Sequence, residues 1–301
     1  MASAQMEQLK DIMKQMMEQG GMPKFDGVID PAKLRATIEA AQKAMPAEPG
    51  VIFTPDTLGG VEAELCTGAN ARKDALIVYI HGGGLVCGNA LTSRGYGSML
   101  AGKTKIPVYT ISYRLAPEHP FPAAVDDCFN AYADILKQYP GIPVFLIGES
   151  GGAYLCVTTT LKAKEAGLKV PAGIIPYSPA LDLSGALDRS KNDGKDLIVT
   201  SSGLLQLRDM YCPDNSMWKN PLVSPIYGDY SGFPPMLLAW DDDETLAADS
   251  ERLVELAKEA GVEVRYKSYP GCFHAFPTAG QGTPESAEIL SDTLKFIREH
   301  I

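Results

Sequence analysis

Three short stretches and a lone histidine carry the residues of this 301-residue chain whose types and spacing could do chemistry. Gly148, Glu149, Ser150, Gly151 and Gly152 read Gly-x-Ser-x-Gly directly after the apolar run 144–147. Glycines there permit a sharp turn from strand to helix, which lifts the serine above the end of a sheet and sets its Oγ at a helix N-terminus, a position suited to a nucleophile. His81, Gly82, Gly83 and Gly84 follow a second apolar run, 76–80. Consecutive glycines let main-chain N–H groups approach a ligand, so Gly83, Gly84 and the N–H of Gly151 are candidate donors to a developing oxyanion. A phosphate cradle is excluded, since no lysine follows and neither G-x-x-x-x-G-K-[ST] nor G-x-G-x-x-G is present.

A serine hydroxyl needs a base, and the chain has four histidines. His81 precedes the glycines, His119 sits between a glutamate and a proline, and His300 is one residue from the end. That leaves His274, in the loop expected between the last strand and the last helix. The base in turn needs a carboxylate to hold its tautomer. Asp241, Asp242, Asp243 and Glu244 stand at the end of the apolar run 234–240. Charge runs are usually solvated faces, so the residues alone leave open which of these acids serves.

To hold such groups together the chain must supply strands that end side by side. From residue 75 onward, β-rich apolar runs at 75–80, 107–112, 143–147, 172–177, 235–240 and 262–269 alternate with helical patterns at 93–102, 123–138, 151–165, 246–260 and 284–301. This alternation reads as an α/β fold with a mostly parallel sheet covered by helices. Runs 51–53 and 61–66, separated by Gly59 and Gly60, predict an antiparallel hairpin before the parallel part. Two segments break the rhythm. Residues 1–45 predict helices with Met6, Leu9, Ile12, Met13, Met16 and Met17 on one apolar face, and 183–230 is a long irregular stretch of the kind used as a lid or binding element.

Composition narrows the partners. With 27 Lys+Arg against 37 Asp+Glu the formal charge is −10, so nucleic acid and anionic membrane are repelled by the average surface. The start shows no cationic leader before an apolar core, and no run nears the ~20 apolar residues of a membrane span. A cytoplasmic location is the expectation. Six scattered cysteines without a C-x-x-C pair argue against disulfides and a zinc site.

The stretches 81–84 and 148–152, together with Tyr113-Arg114-Leu115-Ala116-Pro117-Glu118-His119-Pro120-Phe121-Pro122-Ala123-Ala124, resemble the hormone-sensitive-lipase-like (family IV) carboxylesterases of the α/β-hydrolase superfamily. The likeness runs over nearly the whole chain from about residue 50. It implies an eight-stranded, mostly parallel sheet flanked by helices, in a catalytic domain at 49–301, with a cap made of helices in 1–48 and an insertion at about 183–230. It implies Ser150 as nucleophile, His274 as base, Gly83, Gly84 and Gly151 as oxyanion donors, and structural roles for Arg114 and Glu118. The family's Gly-x-Asp-Glu pattern, laid on Asp241-Asp242-Asp243-Glu244, selects Asp243 as the acid and makes Asp241 and Asp242 outer-loop residues. Glu149 and Gly151 depart from the Asp and Ala usual at those positions.

The reading is therefore a cofactor-free serine esterase acting on small-molecule esters with short acyl chains, without metal, with the methionine face of 1–20 lining the pocket. An apparent pKa near ~6 to 7 is expected for the base. A homodimer through an edge strand is compatible with the resemblance. The rivals are a serine peptidase or amidase of the same superfamily and a non-catalytic small-molecule receptor on the same fold, which would lack a complete triad.

Overall fold

The computed structural model describes residues 1–22, 24–26, 28–43 and 46–301. Among the described residues eight strands form one sheet, in the order β1-β2-β4-β3-β5-β6-β7-β8. They are β1 (Ile52–Leu58), β2 (Val61–Thr67), β3 (Leu76–Ile80), β4 (Val108–Ile111), β5 (Val144–Glu149), β6 (Gly173–Tyr177), β7 (Met236–Asp241) and β8 (Val264–Tyr269). β1 and β2 form the expected hairpin, with Leu58 opposite Val61 across Gly59-Gly60, and β2 is antiparallel to β4. From β4 to β8 every pairing is parallel. The α/β-hydrolase arrangement expected from the resemblance is thus the one observed.

The strand sequences explain the layering. Leu76-Ile77-Val78-Tyr79-Ile80 and Met236-Leu237-Leu238-Ala239-Trp240-Asp241 are buried at every position, as strands covered on both faces must be. β8, at the edge, alternates between half-buried and exposed.

The helices are α1 (Ala4–Glu18), α2 (Pro31–Lys43), α3 (Arg94–Thr104), α4 (Ala123–Gln138), α5 (Gly151–Glu165), α6 (Ser201–Tyr211), α7 (Ala247–Glu259) and α8 (Pro284–Glu299). α4 is amphipathic, whereas α5 is buried along nearly its whole length, which suits a helix packed centrally against the sheet. α8 starts on a Thr283 and Ser286 capping box and stops at Glu299, two residues before the chain end.

Two expectations for the segments outside the rhythm change. The irregular stretch 183–230 contains α6, which the sequence pattern did not delimit. α1 buries Met6 and Met13 but lies beside the start of α8. Ser3 N and Oγ donate to the Glu285 carboxylate at 2.5 and 2.9 Å, and Lys10 Nζ donates to Gly271 O at 2.8 Å. None of Met6 through Met17 lines the cavity beside Ser150; from this part of the chain Phe25 does. The methionine lining is therefore corrected: a helix with two core-facing methionines needs an apolar partner, and α1 buries them in the core beside α8. No helix among the described residues is long and apolar enough to cross a membrane. All six cysteines are free and buried.

Candidate active site

The parallel strands β3, β5, β6, β7 and β8 end on one edge of the sheet, and the candidate residues follow those ends, as ligand sites of open α/β sheets do. Ser150 follows β5 and starts α5, with φ 54° and ψ −119°. A non-glycine residue there is strained, and the fold holds it by a hydrogen bond from Ser150 N to Tyr177 O at 2.9 Å on the neighbouring strand. Gly152 allows the turn to sit against β3, since a Cβ there would fall 2.0 Å from Ile80 O.

Ser150 opens on a cavity whose walls include Gly84, Gly151, Phe25, Tyr154, Leu207 and Tyr211. Gly83 takes φ 105° and a Cβ on it would meet Cys87 O at 2.4 Å, so the loop cannot carry a side chain at that place. Its carbonyl accepts from Val86 N, Cys87 N and Cys87 Sγ at 3.1, 3.2 and 3.0 Å. This anchors the carbonyl side and leaves the loop rigid. A Cβ on Gly151 would lie 3.4 Å from Gly84 N and 3.2 Å from Leu85 N. The Gly84 nitrogen therefore lies beside the start of α5, where the N–H of Gly151 has no acceptor within its own helix.

His274 is buried in the loop after β8. Its Nδ1 lies 3.3 Å from Glu244 Oε2, and its Nε2 is buried without a hydrogen-bond partner among the described residues. Ser150 Oγ makes no hydrogen bond to Nε2 here, and catalytic hydrogen bonds often align only once substrate binds. Burial works against charge on His274, yet the adjoining Glu244 carboxylate, its hydrogen bond, and the more distant Asp196 and Glu149 hold its pKa above the ordinary 6.5. For Glu244 burial raises the pKa, opposed by His274 and Ser178.

The acid beside the histidine is Glu244, not Asp243 as the family pattern selected. Asp243 is 45% exposed and pairs with Lys195 at 3.5 Å. The physical reason lies in the end of β7. The strand continues through Asp241, and a turn closed by Glu244 N donating to Asp241 O at 3.2 Å brings residue 244 back over the sheet. The longer glutamate then reaches His274. Asp241 is likewise no outer-loop residue. It is buried, its Oδ1 accepts from Cys272 N at 3.0 Å, and burial pushes its pKa up to about 7. Asp242 sits in the turn with its N donating to Tyr269 O at 2.9 Å.

Three supporting residues escaped the sequence reading. Ser178, just past β6 with φ 47°, donates to Glu244 Oε2 at 2.8 Å and accepts from Ala275 N at 3.2 Å. It thereby joins the acid to the histidine loop. Asn192 Nδ2 donates to the carbonyls of Asp242 and Glu244 at 2.8 and 2.9 Å. Asp196 Oδ2 accepts from Thr245 N at 2.8 Å. All are single polar residues outside the strands and α-helices, where no periodicity marks them; a small polar residue directly after a strand was the one available signal, for Ser178.

The remaining candidates are structural in geometry. His81 stacks on Tyr113 with ring centroids 4.2 Å apart, its Nδ1 lies 2.8 Å from Gly82 O, and burial lowers its pKa to about 4. Arg114 grips Asp127 of α4 through two nitrogens, at 2.8 to 3.1 Å. Glu118 accepts from Arg35 of α2 at 2.6 and 2.8 Å, and the same guanidinium reaches Val86 O and Ala116 O. Among the described residues no group of three or more His, Cys, Asp or Glu is placed to hold a metal ion.

Comparison with known proteins adds a second line. The family described as alpha/beta hydrolase fold matches residues 77–278. An esterase of Acinetobacter venetianus is 33% identical over 270 residues, 88% of this chain and 88% of its own. An acetyl-hydrolase of Streptomyces hygroscopicus is 32% identical over 234 residues, covering 76% of this chain and 77% of its own. Among solved structures, a hormone-sensitive lipase from a metagenome library superposes with TM-score 0.90 at 33% identity over 98% of both chains. An esterase from the bacterial hormone-sensitive lipase family superposes with TM-score 0.91 at 27% identity, over 100% of this chain and 99% of the other.

Proposed function

Since the chain belongs to the hormone-sensitive-lipase-like, family IV esterases of the α/β-hydrolase fold, we propose that it cleaves carboxylic esters through an acyl-enzyme formed on Ser150. It is a carboxylic ester hydrolase by the same relationships. The observation that carries the mechanism is Ser150 on its strained strand-to-helix turn, opening on an apolar cavity beside Gly84 and Gly151.

In the proposed cycle Ser150 Oγ bonds to the ester carbonyl carbon as His274 Nε2 takes the hydroxyl proton, and the carbonyl electron pair moves onto oxygen. The N–H groups of Gly83, Gly84 and Gly151 hold that oxyanion. Collapse expels the alkoxide, which receives the proton from His274. Water then repeats the sequence on the acyl-enzyme and restores Ser150. Glu244 keeps Nδ1 protonated and stabilises the imidazolium, while Ser178 orients Glu244. The cycle uses no cofactor.

The apolar walls, Phe25, Tyr154, Leu207 and Tyr211 among them, favour an uncharged acyl group, because a buried charge without a partner is costly; the family resemblance supports a short one. The segments 1–48 and 183–230 act as the cap in this reading, contributing Phe25 and α6 respectively.

The test is Ser150→Ala with an organophosphonate label. The variant should fold normally and lose nearly all ester hydrolysis, by about 10⁵-fold or more, as removal of the nucleophile does in serine hydrolases. The label should fall on Ser150 alone, and a panel of acyl esters should show highest kcat/KM at short acyl length. Labelling at another serine, or an active variant, overturns the assignment.

A further inference from the structure

We propose that the Glu149 side chain is a positioning residue that fastens the oxyanion glycines to the serine turn, through one hydrogen bond to the glycine loop and one to the sheet. The inference rests on Ser150 as nucleophile and adds a group which that mechanism does not use. Glu149 is the residue immediately before Ser150 at the end of β5, and it is partly buried. Oε1 accepts from Gly82 N at 2.6 Å, and Oε2 accepts from Tyr79 OH on β3 at 2.5 Å. A Cβ on Gly82 would lie 2.9 Å from Glu149 O and 3.2 Å from Ser150 Cβ, so the loop and the turn are in direct contact there.

Gly82 is the first amide of the loop whose next two residues are Gly83 and Gly84, so an acceptor at Gly82 N sets where those amides point. A charged acceptor makes the tie roughly twice as strong as a neutral one. The tie is therefore strongest while Glu149 is ionised.

The surroundings keep that ionisation close to working pH. Burial raises the carboxyl to about 7, against the hydrogen bonds from Tyr79 and Gly82 and the pull of His274. The ionisable groups facing it are Tyr79 on β3, Tyr96 on α3, Tyr113 after β4, Cys156 on α5, Tyr177 on β6 and His274 after β8. Histidine is the one cation among them. The carboxylate consequently also favours the imidazolium formed during turnover.

The experiment compares wild type, Glu149→Gln, Glu149→Leu and Tyr79→Phe, each normalised to organophosphonate-titratable Ser150. Titratable serine in all four keeps failure of this inference distinct from failure of the Ser150 assignment. Glu149→Leu leaves Gly82 N and Tyr79 OH without their acceptor, and kcat should fall about 100-fold with KM within about threefold, in the range of losing an oxyanion donor. Glu149→Gln keeps the shape and removes the charge. Its kcat should fall about tenfold, and the acidic limb of its pH profile should show one protonation where wild type shows two. Tyr79→Phe removes a donor to the carboxylate, so the limb belonging to Glu149 should move to higher pH. Wild-type kcat per titrated serine in Glu149→Leu, or superimposable pH profiles for wild type and Glu149→Gln, would overturn the proposal.

Discussion

The two halves of the site are built on different principles. The serine half consists of two backbone turns, 81–84 after β3 and 148–152 after β5, in which Gly82, Gly83, Gly148 and Gly152 are held to glycine by a close main-chain approach. The acid and histidine half is a web of side chains from four separate stretches: Ser178 after β6, Asn192 and Asp196 from the segment crossing the sheet edge, Glu244 after β7, and His274 after β8. A turn made of backbone advertises itself in consecutive residue types. A web of side chains does not, because any polar residue at the right place in space will serve. The halves should therefore fail differently when altered.

The sharpest contrast is between Glu244 and its neighbour. Glu244→Gln presents the wrong tautomer to His274 and should lower kcat on the order of ~10³ to 10⁴, as in the serine-protease counterpart. Asp243→Asn, on an exposed side chain paired with Lys195, should stay within about twofold, since exposed ion pairs contribute little. Steady-state kinetics on one activated ester measures both. The opposite ranking would restore Asp243 as the acid and break the account of the β7 turn.

The web also sets the pH response. Because Glu244 and its neighbours hold His274 above the ordinary 6.5, kcat/KM should rise with pH through an apparent pKa above that value, rather than at the ~6 to 7 of an unperturbed imidazole. The sign follows from the base being active when neutral: a raised pKa moves the limb to higher pH. Removing the Glu244 charge should return the residual activity's limb toward lower pH. A wild-type limb below 6.5 would show that burial, which lowers the pKa of His274, outweighs the carboxylate.

The smaller effect belongs to the support at the segment crossing the sheet edge. Asn192→Ala frees the carbonyls of Asp242 and Glu244 from their shared donor. It should cost about tenfold in kcat, with KM nearly unchanged and the melting temperature lower by about 2–4 °C, the usual scale for about 1 kcal/mol in a protein of this size. A change in KM alone would place Asn192 with the substrate instead of the acid.

Several parts of this protein were legible in its amino-acid order. Buried strands announce themselves as unbroken apolar runs, so β3, β6 and β7 are legible to within one residue and β5 to within two, and the Gly59-Gly60 hairpin with them. The Ser150 turn and the glycine loop of the proposed site stand out in the sequence because strained or crowded backbone restricts residue type at positions next to one another in the chain. His274 followed from its place after the last strand. What remained open was decided by packing. The partner of α1, the presence of α6 inside 183–230, and the identity of the acid all depend on groups brought together across long stretches of chain. β7 runs one residue further than the apolar run, and Glu244 instead of Asp243 lies beside His274. Local order constrains backbone shape through sterics over a few residues, whereas which carboxylate meets a histidine 30 residues away is set by where two strand ends and their turns converge in three dimensions.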